Sequence, residues 1–314
     1  MLPDKRKKSP VIVIVGPTAV GKTELSIQLA KKLNGEIISA DSRLFYRGMD
    51  IGTAKPSKDE MLNVKHHLID TANPDETWSL ALYQQKAVEI IEQLHSINKL
   101  PIIVGGTGQY IRAVTEGWTP PEVQADPRLR IVLEELSRQY SAVWLHDKLR
   151  ILDPVSAGRI DLRNIRRTIR ALEVILSTGR PFSEQRGMIE SPYNILMIGL
   201  CRPRIELYKR IDDRIEIMFE LGLLNEVRNL LDSGYSADLP CMSAIGYREC
   251  IQVLNNSLSI EDAKIQMRRL TRVFVRRQAN WFKADDQRIN WFEMHPDPLQ
   301  RIEKFITQQI INFS

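Results

Sequence analysis

The most constraining stretch of the chain is "VIVIVGPTAVGKTELS", residues 11–26. Five consecutive apolar residues read as a short strand buried on both faces. They run into Gly16, Pro17, Thr18, Ala19, Val20, Gly21, Lys22 and Thr23, which fit the spacing G-x-x-x-x-G-K-[ST] of a phosphate-binding loop. In such a loop, backbone amides and a helix N-terminus hold phosphate oxygens, the lysine adds a point charge, and the hydroxyl can ligand Mg²⁺. The motif requires a strand before it and a helix after it. Both are expected here, the helix from about Gly21 to Leu33. The expected ligand is a diphosphate or a triphosphate.

The pattern downstream repeats strand and helix. Short apolar runs at 37–39, 67–69, 101–104, 194–200 and 289–293 read as further strands, and 78–94 as a helix. Strands separated by helices imply an α/β fold: a mainly parallel sheet with helices on both faces. Residues 120–186 carry helical periodicity and no convincing strand. The expected organisation is a core of 1–119 and 187–314 carrying a helical insertion at 120–186. A second helical region is expected at about 204–283.

Composition excludes some classes. The 314 residues are 43% hydrophobic and 26% charged, ordinary for a soluble enzyme. No run approaches the ~18 apolar residues of a membrane span. The basic start "MLPDKRKKSP" precedes too short an apolar run for a signal peptide, so a cytoplasmic location is expected. Cys201, Cys241 and Cys250 lack paired spacing and read as reduced core thiols. The net charge of +5 says little until its distribution is considered.

A phosphate loop that hydrolyses nucleotides needs an acid at the end of a buried strand. The strand at 101–104 ends instead in Gly105 and Gly106. "HHLID" offers Asp70 as a substitute, and His66 and His67 beside it suggest a metal trio. Adjacent histidines in a strand point to opposite faces, however, which favours a structural reading. Asp41 follows the second strand at the sheet edge where doubly wound folds place ligands. On position alone it is either a general base beside a bound phosphate or a cap on the next element.

Arginines gather in two places. Arg159, Arg163, Arg166, Arg167 and Arg170 form one stripe if a single helix begins that early. Arg268, Arg272 and Arg276 repeat every four residues, flanked by Arg269, Arg277 and Lys283. Both stripes suit the phosphates of a folded RNA; the plainer reading is a solvated charged face.

The segments "GPTAVGKTELS", "EIISADSR", "YRGMDIGTAKP", "HHLID", "VGGTGQY", "LDPVSAGRI", "RRTIRALEV", "AIGYRE" and "RRQANWF" follow one another in the order seen in tRNA dimethylallyltransferases. The chain resembles that family, also called tRNA isopentenyltransferases, from about residue 11 to 294. The resemblance implies a P-loop NTPase-like sheet with a helical insertion. It also implies transfer of the dimethylallyl group of dimethylallyl diphosphate to the exocyclic amine of adenosine 37 in the tRNA anticodon stem-loop. The loop at 16–23 would then grip a diphosphate leaving group with Mg²⁺ at Thr23, and the missing strand-end acid becomes intelligible. The enzyme is expected to be a monomer.

By the same resemblance, Asp41 takes a proton from the adenine amine, Thr107 lies near the reacting groups, and Arg214 with Lys22 holds the diphosphate. Arg214 read without the resemblance is a surface charge paired with Asp212, Asp213 or Glu216. The residues implied to contact tRNA are Asp41, Ser42, Arg43 and Leu44; Thr107; Arg130; and Arg166, Arg167, Thr168, Ile169 and Arg170. Further along they are Ser243, Ala244, Ile245, Gly246, Tyr247 and Arg248, then Arg276, Arg277, Gln278, Ala279, Asn280, Trp281, Phe282 and Lys283. Leu44 departs from the glutamine that many members carry there, which removes a hydrogen-bonding group. The alternatives are an adenylate isopentenyltransferase acting on free nucleotide, and an ATP-binding P-loop small-molecule kinase with the insertion as its lid.

Overall fold

The apolar run at 11–15 is fully buried, as its lack of alternation requires, and lies inside a sheet flanked on both edges. The structure, a computed structural model, describes residues 8–119, 121, 123, 126–185, 187–188, 190–294 and 298–313. It divides into two compact units, residues 116–190 and the remainder on either side of them.

In chain order the elements are β1 (Pro10–Val15), α1 (Lys22–Lys32), β2 (Gly35–Ala40), β3 (His66–His67), α2 (Leu80–Ser96), β4 (Leu100–Gly105) and α3 (Gly108–Thr115). The second unit follows with β5 (Trp118–Thr119), α4 (Pro127–Tyr140), α5 (Ala142–Leu152), α6 (Pro154–Arg159), α7 (Ile165–Thr178) and β6 (Gly187–Met188). The chain then returns to the first unit through β7 (Asn194–Cys201), α8 (Arg204–Glu220), α9 (Leu223–Asp232), α10 (Tyr247–Leu254), α11 (Ile260–Trp281), β8 (Ile289–Glu293) and α12 (Leu299–Phe313).

The first unit is a six-stranded sheet in the order β3-β2-β4-β1-β7-β8, with every pairing parallel. β1 and β4 are neighbours, and β2 lies beside β4, so their C-terminal ends fall next to one another at one edge. Ligands of such sheets bind beyond the strand ends. Burying each of the five side chains of 11–15 is worth roughly 1.5–3 kcal/mol, so this strand anchors the loop that follows it.

The second unit has its own core, built on Leu145, Leu149, Ala171, Leu172 and Val174. Its helices lie within the stretch read as helical from sequence. Its limits extend a few residues beyond the expected 120–186 because β5 and β6 pair antiparallel, Trp118 with Met188 and Thr119 with Gly187. One expectation needs correction here. Arg159 ends α6, and α7 begins only at Ile165, where the Asn164 side chain accepts the Arg167 amide at 3.2 Å. The cap interrupts the helix, so the five arginines from 159 to 170 do not form one helical stripe.

Candidate active site

The phosphate loop is shaped by its backbone. Gly16 has φ +149°, and a Cβ there would fall 2.6 Å from the Leu200 carbonyl oxygen. Ala19 and Gly21 take left-handed conformations, φ +63° and +110°, and turn the chain into α1. Gly21, the N-cap residue, offers no side-chain acceptor, so the first amides of α1 are left for an anion. The loop is braced from α8 and the turn before it. Arg202 Nε donates to the Val20 carbonyl and Arg210 Nε to that of Ala19, each at 2.8 Å.

Lys22 Nζ donates to the Gly16 and Pro17 carbonyls at 2.9 and 2.8 Å. Burial drives its ammonium down to about 8; the Asp41 carboxylate opposes that fall and the Arg214 guanidinium adds to it. Arg214, on α8, is also lowered by burial, then by Arg210, and held up by Asp41 and Glu60. The alternative reading, a surface pairing of Arg214 with a neighbouring acid, is not formed among the described residues. Asp212 binds Arg272, and Glu216 binds Lys264 and Arg268. Three residues far apart in sequence, Lys22, Asp41 and Arg214, therefore come within electrostatic reach of one another.

Asp41 sits just beyond β2. Its Oδ1 accepts the Arg43 amide at 3.0 Å, so it does cap the turn, while among the described residues its other oxygen has no protein partner. β4 supports it. Gly105 lies against Ala40 so closely that a Cβ would meet the Ala40 oxygen at 2.3 Å. The Thr107 amide donates to that same oxygen at 3.2 Å, and Thr107 Oγ1 accepts the Ser42 amide at 3.3 Å. Thr107 thus fixes the segment carrying Asp41, and its hydroxyl keeps a proton to donate.

The polar side chains of the "HHLID" segment have partners within the protein. His67 Nε2 and the Glu36 carboxylate lie 2.7 Å apart, while His66 Nδ1 meets the Val64 carbonyl at 2.8 Å. Asp70 pairs with Lys55 at 2.5 Å. Among the described residues no group of three or more His, Cys, Asp or Glu side chains is placed to hold a metal. Cys241 and Cys250 are buried free thiols and Cys201 is half-buried, as expected.

Several residues carried over as tRNA contacts are packed inside. Thr168, Ile169, Ala244, Gly246, Tyr247, Gln278 and Phe282 are buried, each less than a tenth exposed. Tyr247 donates to Glu226 at 2.6 Å, and that carboxylate also accepts the amides of Asp50, Ile51 and Gly52. Trp281 lies against Gly108, with the Arg112 guanidinium 5.3 Å from its ring centre. Arg43 is half-buried and donates to the Pro240 and Cys241 carbonyls at 3.0 and 3.2 Å. Ser42, Leu44 and Ile245 are half-buried; Ser243, Arg248, Arg276, Arg277, Ala279, Asn280 and Lys283 are exposed.

In the second unit Arg166 and Arg167 are exposed. Arg170 and Arg130 instead converge on the fully buried Glu173, at 2.6 and 2.9 Å. Burial pushes the Glu173 carboxyl up, but the two arginines and the Asp126 amide outweigh it and hold it below the usual range. The arginine stripe of α11 divides likewise: Arg268 and Arg272 are bound to α8 acids, while Arg269, Arg276 and Arg277 face outward.

A phosphate loop at the head of a parallel sheet, with helices on both faces and a converging carboxylate, defines an α/β enzyme of P-loop NTPase-like fold. The family model described as IPP transferase matches residues 44–285. A tRNA dimethylallyltransferase of Roseiflexus castenholzii is 48% identical over 95% of this chain and 98% of its own. One from Thermomicrobium roseum is 44% identical over 92% and 87%. Among solved structures, the full-length tRNA isopentenylpyrophosphate transferase of Bacillus halodurans superposes with a TM-score of 0.73 at 41% identity, covering 98% of both chains. A eukaryotic dimethylallyltransferase acting on tRNA gives 0.82 at 27% identity, covering 97% of this chain and 80% of that one. The chain belongs to the IPP transferase family.

Proposed function

We propose that the chain transfers the dimethylallyl group of dimethylallyl diphosphate to the exocyclic amine of adenosine 37 in the tRNA anticodon stem-loop, releasing diphosphate and leaving N6-isopentenyladenosine. The observation that carries this reading is the convergence of Lys22, Arg214 and Asp41 where β1, β2 and β4 end, with glycines where a nucleotide hydrolase needs an acid. Two cations beside one carboxylate suit a leaving diphosphate next to a proton acceptor.

In the reaction the allylic C–O bond breaks and the C–N bond forms. The electron pair of the C–O bond leaves with the diphosphate, and the amine proton goes to the free oxygen of Asp41. Lys22 exchanges the Gly16 and Pro17 carbonyls for diphosphate oxygens, joined by the loop amides and Arg214, which stabilise the departing charge. The aromatic amine is a weak nucleophile, so holding it in line with the allylic carbon matters as much as the base.

The residues present fit Mg²⁺. Thr23, exposed at the start of α1, offers the hydroxyl that follows the lysine of a phosphate loop and ligands Mg²⁺ beside substrate phosphates in such loops. Thr23 would hold it against the diphosphate, where it neutralises charge. Arg166, Arg167, Arg276 and Arg277 take tRNA phosphates. A cytoplasmic monomer is part of this proposal. Separately, no helix among the described residues is long and apolar enough to cross a membrane.

The test is incubation with dimethylallyl diphosphate, Mg²⁺ and bulk tRNA, followed by digestion and a search for isopentenyladenosine. Transfer to AMP with none to tRNA would replace this reading with the adenylate enzyme. ATP turnover with a small-molecule acceptor would replace it with a kinase.

A further inference from the structure

We infer that Gln278 is a positioning residue that sets the diphosphate-gripping loop against the segment carrying the proton acceptor. Its side-chain amide joins the two. The Thr18 amide, in the phosphate loop, donates to Gln278 Oε1 at 2.9 Å, and Gln278 Nε2 donates to the Gly106 carbonyl at 3.3 Å. The residue is 5% exposed, and its bond to Gly106 is buried. Resemblance placed Gln278 in an RNA-contacting run, but only its neighbours on α11 face outward.

The fit is specific to a primary amide. One end must accept and the other must donate, which neither a carboxylate nor an aliphatic side chain does. The space is equally specific, since a Cβ on Gly106 would lie 2.0 Å from Gln278 Nε2. α11 is held at the same point one turn later. Trp281 packs against Gly108, and its carbonyl accepts Arg112 Nη2 at 3.2 Å.

From Gly106 the linkage continues. The next residue, Thr107, accepts the Ser42 amide, adjacent to Asp41. A connected path therefore runs from Thr18 through Gln278, Gly106 and Thr107 to the segment of Asp41. Its effect is to fix the distance between the diphosphate and the base, and displacements of about 1 Å can cost ~100-fold in rate. This inference rests on the reading under Proposed function for what is being positioned.

The experiment compares wild type, Gln278→Leu and Gln278→Glu in the full chain. It measures inorganic pyrophosphate affinity by calorimetry, tRNA affinity by filter binding, and steady-state transfer. Leucine removes both bonds at similar volume. It is expected to weaken pyrophosphate binding roughly tenfold, the scale of one or two lost hydrogen bonds, to lower kcat at saturating donor, and to leave tRNA affinity within about twofold. Glutamate keeps the acceptor for Thr18 and should fall between leucine and wild type in pyrophosphate affinity.

Loss of tRNA affinity with unchanged pyrophosphate affinity would overturn the inference in favour of an RNA contact; unchanged pyrophosphate affinity and kcat would overturn it outright. Should wild type transfer nothing to tRNA, the proposed function fails, while the pyrophosphate comparison still reads the bridge. If Gln278→Leu does not fold, hydrogen exchange on the ligand-free wild type decides. A protected Thr18 amide supports the bridge, and exchange at the rate of an open loop refutes it.

Discussion

Arg272 of α11 donates to both carboxylate oxygens of Asp212 on α8, at 2.9 and 2.6 Å. One turn further along α8, Glu216 is bound in the same way by Lys264 and Arg268. These pairs fasten the two helices together and engage two of the three acids nearest Arg214 in sequence. The Arg214 guanidinium is left half-buried beside Arg210, within reach of Asp41 and Lys22.

Arg214→Ala should therefore reduce inorganic pyrophosphate affinity by about ten- to a hundredfold, the scale of a charge-assisted hydrogen bond, with little change in melting temperature. Arg272→Ala should do the opposite, lowering the melting temperature by about 1–3 °C with pyrophosphate affinity held within twofold. Calorimetry and thermal melts on the same two proteins check both halves. Equal effects of the two substitutions on affinity would remove Arg214 from the anion site.

Asp41→Asn is a sharper probe of the base than alanine, because asparagine can still accept the Arg43 amide through its side-chain oxygen. Turnover should fall by about 10²–10⁴ while pyrophosphate and tRNA affinities stay near wild type. Parallel loss of turnover and tRNA affinity would return Asp41 to a capping role alone.

Lys22 should make pyrophosphate binding pH-dependent. Its free-enzyme pKa is lowered from 10.5 to about 8, chiefly by burial, and a bound anion will raise it. Binding at about pH 8–9 should take up a proton, seen as a dependence of calorimetric enthalpy on buffer ionisation, and affinity should decline above about pH 8. The stability sign runs the other way. The unfolded chain holds this proton more tightly than the folded one, so the cost of burying the charge is fully present below about 8. It is relieved as pH rises from there toward 10.5. Lys22→Met should abolish the proton uptake.

Arg166 and Arg170, one helical turn apart, should behave differently. Arg166→Ala with Arg167→Ala removes two exposed charges, so tRNA affinity should fall and its salt slope flatten by about 1–2 units at constant melting temperature. Arg170→Ala instead takes one of two arginines from buried Glu173, and should destabilise the chain by about 1–3 kcal/mol. Filter binding at several salt concentrations, with melts, separates the two.

What was legible in advance followed from local rules. The strand at 11–15, the loop at 16–23 and the alternation that implies a parallel sheet depend on side-chain period, glycine geometry and helix entry, which neighbouring residues decide. The motif order made the family recognisable. Local pattern misled where one residue ended an element. Spacing from Arg159 to Arg170 looks continuous on a helical wheel, yet Asn164 caps α7 and divides it.

The sequence by itself determined that a phosphate loop follows a buried strand, that a helical insertion interrupts an α/β core, and that Asp41 stands at the end of the second strand. Only the tertiary structure decided which charges serve the site and which serve the frame. Arg214 and Arg272 are alike as residues and both half-buried, but one lies within reach of Lys22 and the other is bound to Asp212. Gln278, 260 residues from Thr18, could not be assigned to the phosphate loop from spacing. The reason is physical: charge pairing, desolvation and hydrogen bonding depend on distance in space, and folding sets that distance independently of separation along the chain.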